Sequence, residues 1–225
     1  MRKVIALVLV VTVGAGFCAV LAQVPFGEDK ANVANHYMKH GLQETGAANI
    51  VTSVVVTYRG FDTLGEVTIL FIAAIGLRAV LVTENSTSRE REEASAIVRT
   101  SSKVLFPLIV MFGVYVIVHG HLTPGGGFQG GAVIASAFLL MYLAWPARDA
   151  KRKRFSVVEG LAGLTFVAVG ILGILFGAGF LANVLPLGTR NTLLSAGVIP
   201  IIYVVIGLKV GAELAGMVAD LMERE

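Results

Sequence analysis

Charge is what this sequence has least of. Asp, Glu, Lys and Arg make up 15% of its 225 residues, against 56% apolar residues, whereas a soluble domain carries about 25% charge. Together with a mean hydropathy of +0.80, that scarcity excludes a free soluble domain and places the chain in a membrane. The net charge of +3 is too small to point to nucleic acid. Cysteine is almost absent. The single Cys18 cannot form an internal disulfide or ligate an iron–sulfur cluster by itself, and it reads as a small buried hydrophobe. Glycine is abundant: 26 residues of the kind that let membrane helices approach closely.

An apolar run of about 20 residues spans a bilayer, and somewhat shorter runs do so inside a bundle. Six are present: Val4–Ala22, Phe61–Val82, Val104–Val118, Gly130–Trp145, Gly160–Leu181 and Thr192–Leu208. The expected fold is therefore all-α, a polytopic membrane protein with six transmembrane helices. Ile50–Tyr58 is too short to span and is expected as an interfacial or half-buried helix leading into the second span. The first run follows Arg2-Lys3 and ends in Val20-Leu21-Ala22, which imitates a signal peptide. It is expected to be retained as a first helix.

The basic residues give a direction. With the N-terminus inside, only Lys30, Lys39, Arg59 and Arg190 fall outside, and the other fourteen of the 18 Lys and Arg fall inside. The positive-inside rule then puts both termini in the cytoplasm of a cell membrane. Residues 83–102, polar and without glycine or proline, read as a cytoplasmic linker between a two-helix region, 1–82, and a four-helix domain, 103–225. Ala94–Lys103, overlapping the end of this linker, reads as an amphipathic cytoplasmic helix. No fixed-period repeat is present.

Between the third and fourth spans lies His119-Gly-His-Leu-Thr-Pro-Gly-Gly-Gly-Phe-Gln-Gly-Gly131, which has six glycines and no Lys, Arg, Asp or Glu. Irregular backbone near a bilayer must be buried in protein or line a water-filled cavity. Gly125, Gly127 and Gly130, with Asp149 downstream, match a dinucleotide spacing, but that fingerprint needs a preceding strand and a solvent-facing βαβ unit. Membrane helices flank it here. The structural reading is that Pro124 cannot continue the third helix and the loop glycines, Gly125, Gly126, Gly127, Gly130 and Gly131, supply unusual dihedrals. Gly127 and Gly131 would then form a GxxxG contact face. Gly173/Gly177 and Gly207/Gly211 mark two further such faces.

Ionisable residues within spans are functional-site candidates by default. Arg59, Asp62 and Glu66 share one helical face. They would hold Na⁺ or pass a proton, or else Thr63 and Glu66 would form a capping box while Asp62 favours the helix dipole. On local physics both readings stand. Lys209 and Glu213, with Asp220 continuing their face, line an ion path or place a lysine snorkelling at the end of the last span. Glu159 reads as a helix-start charge, and the basic run Arg148–Arg154 as a topology determinant. His119 and His121 relay protons or anchor a helix end. No Cys, Asp or Glu lies near enough to complete a metal site with them.

With Phe106-Pro107 upstream, the glycine loop closely resembles the B subunit of Mrp-type multisubunit Na⁺/H⁺ antiporters, and residues 95–220 look like that four-helix component. Tyr58-Arg-Gly-Phe-Asp-Thr-Leu-Gly-Glu66 resembles the C-terminal end of the large A subunit. In related archaeal membrane-bound hydrogenase and sulfane reductase complexes that end is a small separate subunit. The chain looks like the two joined.

The resemblance implies a non-redox membrane subunit of an Mrp-like module, within a complex that couples electron transfer to ion translocation. It implies ion-path carboxylates at Asp62 and Glu66. Its implied partners are other antiporter-like subunits and a hydrogenase-like or sulfur-reducing arm, with Na⁺ and H⁺ as the ions. The chain itself is expected to be neither an enzyme nor a holder of metal or cofactor, iron–sulfur clusters lying in partners. The alternative is a structural packing subunit of a stand-alone antiporter.

Overall fold

A computed structural model of the chain describes residues 2–23, 32–83, 94–145, 152–177 and 179–222. Much of the linker and of the basic run, including Arg89, Arg91, Arg148 and Lys151, lies outside them. The described residues form helices and connections, with no strand among them. Six helices are long and apolar enough to cross a membrane. The chain is a multi-pass, all-helical membrane protein.

Two compact units are present, residues 1–35 and 36–225. The first contains α1 (Arg2–Gln23), apolar throughout. Its Cys18 is exposed rather than buried, because α1 offers an apolar surface on every side.

The second unit is built around α8 (Ile199–Met222), which is more deeply buried than any other span. Packed against α8 are α4 (Gly60–Thr83), α5 (Ala96–Val118), α6 (Gly127–Ala144) and α7 (Arg152–Phe176). The reason is side-chain size. Gly207, Gly211, Ala212, Ala215, Gly216 and Ala219 are all buried on α8, so its neighbours approach the backbone closely.

Three spans differ from their sequence limits. The third helix begins at Ala96, capped by the Ser95 hydroxyl, which accepts from Val98 N. Residues 96–103 are therefore the first turns of α5 and not a separate amphipathic helix. The fifth helix stops at Phe176, and its chain folds back so that Phe180 stacks on Phe61 at 4.6 Å. The last span starts seven residues later than Thr192 and continues past Lys209 to Met222. Counting apolar residues stops a span at a charge, but the helix continues because Lys209 is paired within it.

Upstream, α2 (Asn32–Thr45) precedes α3 (Ile50–Thr52), which passes directly into a π-helix, Ser53–Tyr58. The half-buried helix expected at 50–58 is thus present, widened by the π-turn. The Thr63 hydroxyl donates to Val55 O at 2.7 Å, satisfying a carbonyl of this irregular segment. The hydroxyl is therefore not a cap for α4, and the capping box is not formed.

The closest helix contacts are between α6 and its neighbours. A Cβ at Gly131 would stand 2.9 Å from Gly207 O and 3.0 Å from Gly211 N, and one at Gly127 would stand 2.8 Å from Tyr203 O. Gly130 faces the other way, where a Cβ would meet Gly113 O at 2.6 Å. Gly173 and Gly177 make no such helix–helix contact. They accommodate the turn that follows α7, Ala182 N standing 2.7 Å from a Cβ at Gly173. At Gly211 the nearest atom is Gly131 O at an ordinary 3.4 Å.

The two sides of the α6–α8 contact are thus unequal. Gly131→Ala should lower stability by about 1–3 kcal/mol, because the atoms in its way are backbone. Gly211→Ala should be neutral or stabilising by up to about 1 kcal/mol, from helix propensity. Thermal unfolding of the purified protein in detergent distinguishes them, and equal losses would contradict this packing.

Candidate functional site

Lys209, Glu213 and Asp220 recur at intervals of a helical turn or two and lie on one face of α8. Lys209 Nζ donates to Glu213 Oε2 at 2.7 Å. The pair lies about midway along the helix, Glu213 fully buried and Lys209 6% exposed. Lys209 is therefore not an interfacial snorkeller. Its ammonium stands 5.4 Å from the centre of the Phe71 ring on α4, within reach of a cation–π attraction. On α7 Gly163 lies beside the lysine stem, whose Cε would be in ordinary contact, 3.8 Å, with a Cβ there.

One end of α8 holds a second pair. Arg78 Nε donates to Asp220 Oδ2 at 2.8 Å, joining α4 to α8. Glu159 is buried too, 6% exposed. It sits two turns inside α7 and is not a helix-start charge. Buried charges are tolerated when paired, and these pairs meet that demand in part. Glu213 Oε1 is buried with no hydrogen-bond partner.

The other end of the bundle carries the glycine loop. The Tyr203 hydroxyl on α8 donates to Thr52 Oγ1 at 2.7 Å, and Thr52 Oγ1 donates to Gly120 O at 2.7 Å. The Asn49 side chain donates to Gly120 O and to Thr123 O, and its backbone N to His121 O. Gly126 N returns to Val116 O on α5, and Gly126 has a φ of 148°. Pro124, Gly125 and Gly126 thus form a closed turn. A Cβ at Gly125 would be 2.9 Å from Val116 O, and one at Gly120 would be 2.6 Å from the Tyr203 ring. Such a loop is packed solid and offers no cradle for a dinucleotide.

The two loop histidines diverge. His119 caps α5 and stacks on Tyr115 at 4.2 Å. His121 is fully buried, with Nε2 3.3 Å from Thr192 O. A carbonyl only accepts, so the ring proton is assigned to Nε2, which leaves Nδ1 without a partner. Burial pushes the His121 pKa below its ordinary 6.5, the charge of His119 adds to this, and the Thr192 carbonyl opposes it.

Arg59 and Asp62 form an exposed ion pair before and in the first turn of α4. Glu66, one turn on, is also exposed and has no hydrogen bond or ion pair among the described residues. The structure thus separates the predicted candidates. Lys209 and Glu213 are joined inside the bundle, Arg59, Asp62 and Glu66 lie on its surface, and the histidines lie in the end loop. Sequence reasoning missed the Arg78–Asp220 pair, having read Arg78 only as a topology charge. An arginine flanked by Ile75-Gly-Leu77 and Ala79-Val-Leu81 was the available signal.

The burial of His121 gives a pH dependence. Between 6.5 and its lowered folded value the unfolded loop binds a proton that the packed loop does not. Stability from this contact is therefore full above the ordinary histidine range and is lost as pH falls through it. Hydrogen exchange of residues 119–126 should accelerate on acidification. His121→Phe should flatten that response, since Thr192 O still accepts from Ser195 N and Ser195 Oγ. A pH-independent exchange rate in the wild type would contradict it.

Comparison with known proteins gives a consistent picture. Residues 97–216 match a family described as a domain related to the MnhB subunit of Na⁺/H⁺ antiporter, and residues 1–95 match one described as the E subunit of MBH. The fold is similar, with a TM-score of 0.80 and 46% identity over 98% of both chains, to a chain in the structure of the membrane-bound sulfane sulfur reductase, an archaeal respiratory membrane complex. It is also similar to a chain of the Mrp complex from Dietzia sp. DQ12-45-1b, with a TM-score of 0.72 and 24% identity over 98% of this chain and 26% of that one. A Rhizobium meliloti protein named as the probable A/B subunit of a K⁺/H⁺ antiporter is 25% identical over 66% of this chain and 17% of its own length. The chain thus corresponds to a minor part of these last two proteins.

Proposed function

Because the chain belongs to the family of domains related to the MnhB subunit of Na⁺/H⁺ antiporters, we propose that it is the ion-handling membrane subunit of an energy-converting respiratory complex. It carries no redox step itself. Its similarity along nearly the whole chain to a component of a sulfane sulfur reductase complex supports that host type over a stand-alone antiporter. Other antiporter-like subunits and a peripheral redox arm are then its partners. Iron–sulfur clusters belong to those partners, since this sequence has one cysteine and a cluster needs several. Both termini face the cytoplasm, where most of the lysines and arginines fall.

The observation that carries this reading is the buried pair at the centre of α8. Lys209 and Glu213 form a 2.7 Å bond at mid-span, and one carboxylate oxygen is left unsatisfied. Hydrophobic residues of similar volume would hold the helices as well or better, so an ionised pair kept at this depth serves ion movement. Asp62 and Glu66 take a second place in the path. Exposed carboxylates on a membrane helix are costly toward lipid, so they face a neighbouring subunit and form their part of the path with it.

In the intact complex, Glu213→Gln should reduce Na⁺-coupled transport by an order of magnitude or more while assembly is retained. Lys209→Met combined with Glu213→Gln guards against misfolding, because it removes both buried charges and leaves neither unpaired. Glu66→Gln should act in the same direction. Normal transport in an assembled Glu213→Gln complex would sink the reading.

One set of contacts favours the packing role instead. Gly127, Gly130 and Gly131 seal α6 against both α8 and α5. On that reading only bulky substitutions at these glycines impair the complex.

A further inference from the structure

The Lys209–Glu213 pair is not covered equally on all sides. Toward α6 and α5 the packing is at backbone distance. A Cβ at Gly131 would stand 3.0 Å from Gly211 N, one at Gly127 would stand 2.7 Å from Ile206 Cβ, and one at Gly207 would overlap the Ile117 side chain. The side of α8 that carries Ile201, Val204 and Leu208 is exposed but apolar. The remaining side lies between α4 and α7. Both helices pack on α8 and not on one another, so a crease runs between them with α8 as its floor.

Lys209 sits in that crease. On its α4 wall the Phe71 ring stands 5.4 Å from the lysine Nζ, yet Phe71 is 43% exposed, so the ring that meets the ammonium also reaches the outside. On the α7 wall a Cβ at Gly163 would meet the lysine Cε at an ordinary 3.8 Å, and one at Gly160, a turn earlier, would meet nothing within 4 Å. Both ends of the crease are closed. At one, Phe180 stacks on Phe61. At the other, Arg78 Nη2 and Phe155 Cβ converge on Gly216, 3.6 and 4.0 Å from a Cβ there. Of the pair, Lys209 is the member that keeps some exposure, whereas Glu213 has none.

The geometry points to a sideways route: the Lys209–Glu213 pair exchanges with its surroundings through the crease between α4 and α7, and Phe71 is the positioning residue that holds the Lys209 ammonium at its mouth. An aromatic face attracts a desolvated cation without fixing it by a directed bond. The ammonium can therefore shift toward Phe71, and the unpartnered Oε1 of Glu213 then serves an arriving cation as acceptor. A lysine at this depth is costly toward lipid, so the mouth of the crease opens onto a neighbouring subunit and the water held between them. One face of α4 thus presents Asp62 and Glu66 while another flanks this mouth. The route deepens the ion-path reading and rests on it for what travels along it.

Thiol labelling of the intact complex tests the route. Cys18→Ala removes the one cysteine of this chain, and Gly163→Cys then places a thiol in the crease, with Gly160→Cys in its place should the first not assemble. A positively charged, water-soluble thiosulfonate should label that thiol, read as a mass increase of this chain. It should also block most Na⁺-coupled transport until the new disulfide is reduced. No labelling, or labelling by an uncharged, membrane-soluble maleimide alone, would overturn the route. Phe71→Leu should lower transport about fivefold or more, and Phe71→Trp should restore it. Labelling without block, or wild-type transport in Phe71→Leu, is read against Glu213→Gln. Either result overturns this proposal where Glu213→Gln is inactive, and the ion-path reading where Glu213→Gln transports normally.

Discussion

A lysine and a glutamate one helical turn apart at the middle of a membrane helix cannot be left to lipid, and the second unit of this molecule is arranged around that constraint. Lys209 and Glu213 neutralise one another at 2.7 Å, but their bond alone does not make them tolerable at mid-span. They also require cover, and α8 is accordingly the most enclosed of the spans. Cover in turn requires close approach. The small residues of α8 supply it on one side and the glycines of α6 on another. The charged centre and the glycine content, which look unrelated in the sequence, are parts of the same solution.

The glycine loop belongs to this arrangement as its end closure. A chain that turns between two close-packed helices has little space for side chains and many backbone groups to satisfy. Here Asn49 and Thr52, from the segment before α4, converge on the carbonyl of Gly120, and Tyr203 of α8 joins them through the Thr52 hydroxyl. The loop is thereby fixed to the segment before α4 and to the first turns of α8. Its glycines are needed for tight packing, and no ligand is required to explain them. His121 is the point at which this closure is exposed to pH, because its ring is buried with only one nitrogen engaged.

Much of this was legible in the sequence. Hydropathy alone located all six spans, since lipid-exposed surfaces leave little freedom in composition, and the GxxxG spacing marked Gly127 and Gly131 on the side of α6 that meets α8. The failures share a cause. Apolar run length ended the last span at Lys209, where a charge appears, although an internally paired charge does not end a helix. The same rule left Glu159 at a helix start and Arg78 among the topology charges. Which groups neutralise which is a tertiary fact, and Arg78 and Asp220 are separated by 142 positions. Thr63 and Glu66 satisfied a capping-box pattern, yet the π-turn before α4 claimed the threonine hydroxyl.

The faces of α4 connect the enclosed centre to whatever surrounds the chain. Thr63, Val67 and Ala74 are buried, and Phe71 and Arg78 reach Lys209 and Asp220, so this stripe belongs to the bundle. Asp62 and Glu66 each precede a buried residue by one position, which rotates them about 100° around the helix. They are exposed on a stripe that continues with Ile69 and Ile72, at 68% and 61% exposure. A mixed face of this kind suits neither lipid, which penalises the carboxylates, nor water, which penalises the isoleucines. It suits a protein neighbour that offers polar groups at one level of the membrane and apolar groups at the next. The carboxylates on that face and the paired charges within the bundle are carried by one continuous helix. A neighbour seated against Asp62 and Glu66 would therefore rest on the same rigid element that positions Phe71 over Lys209.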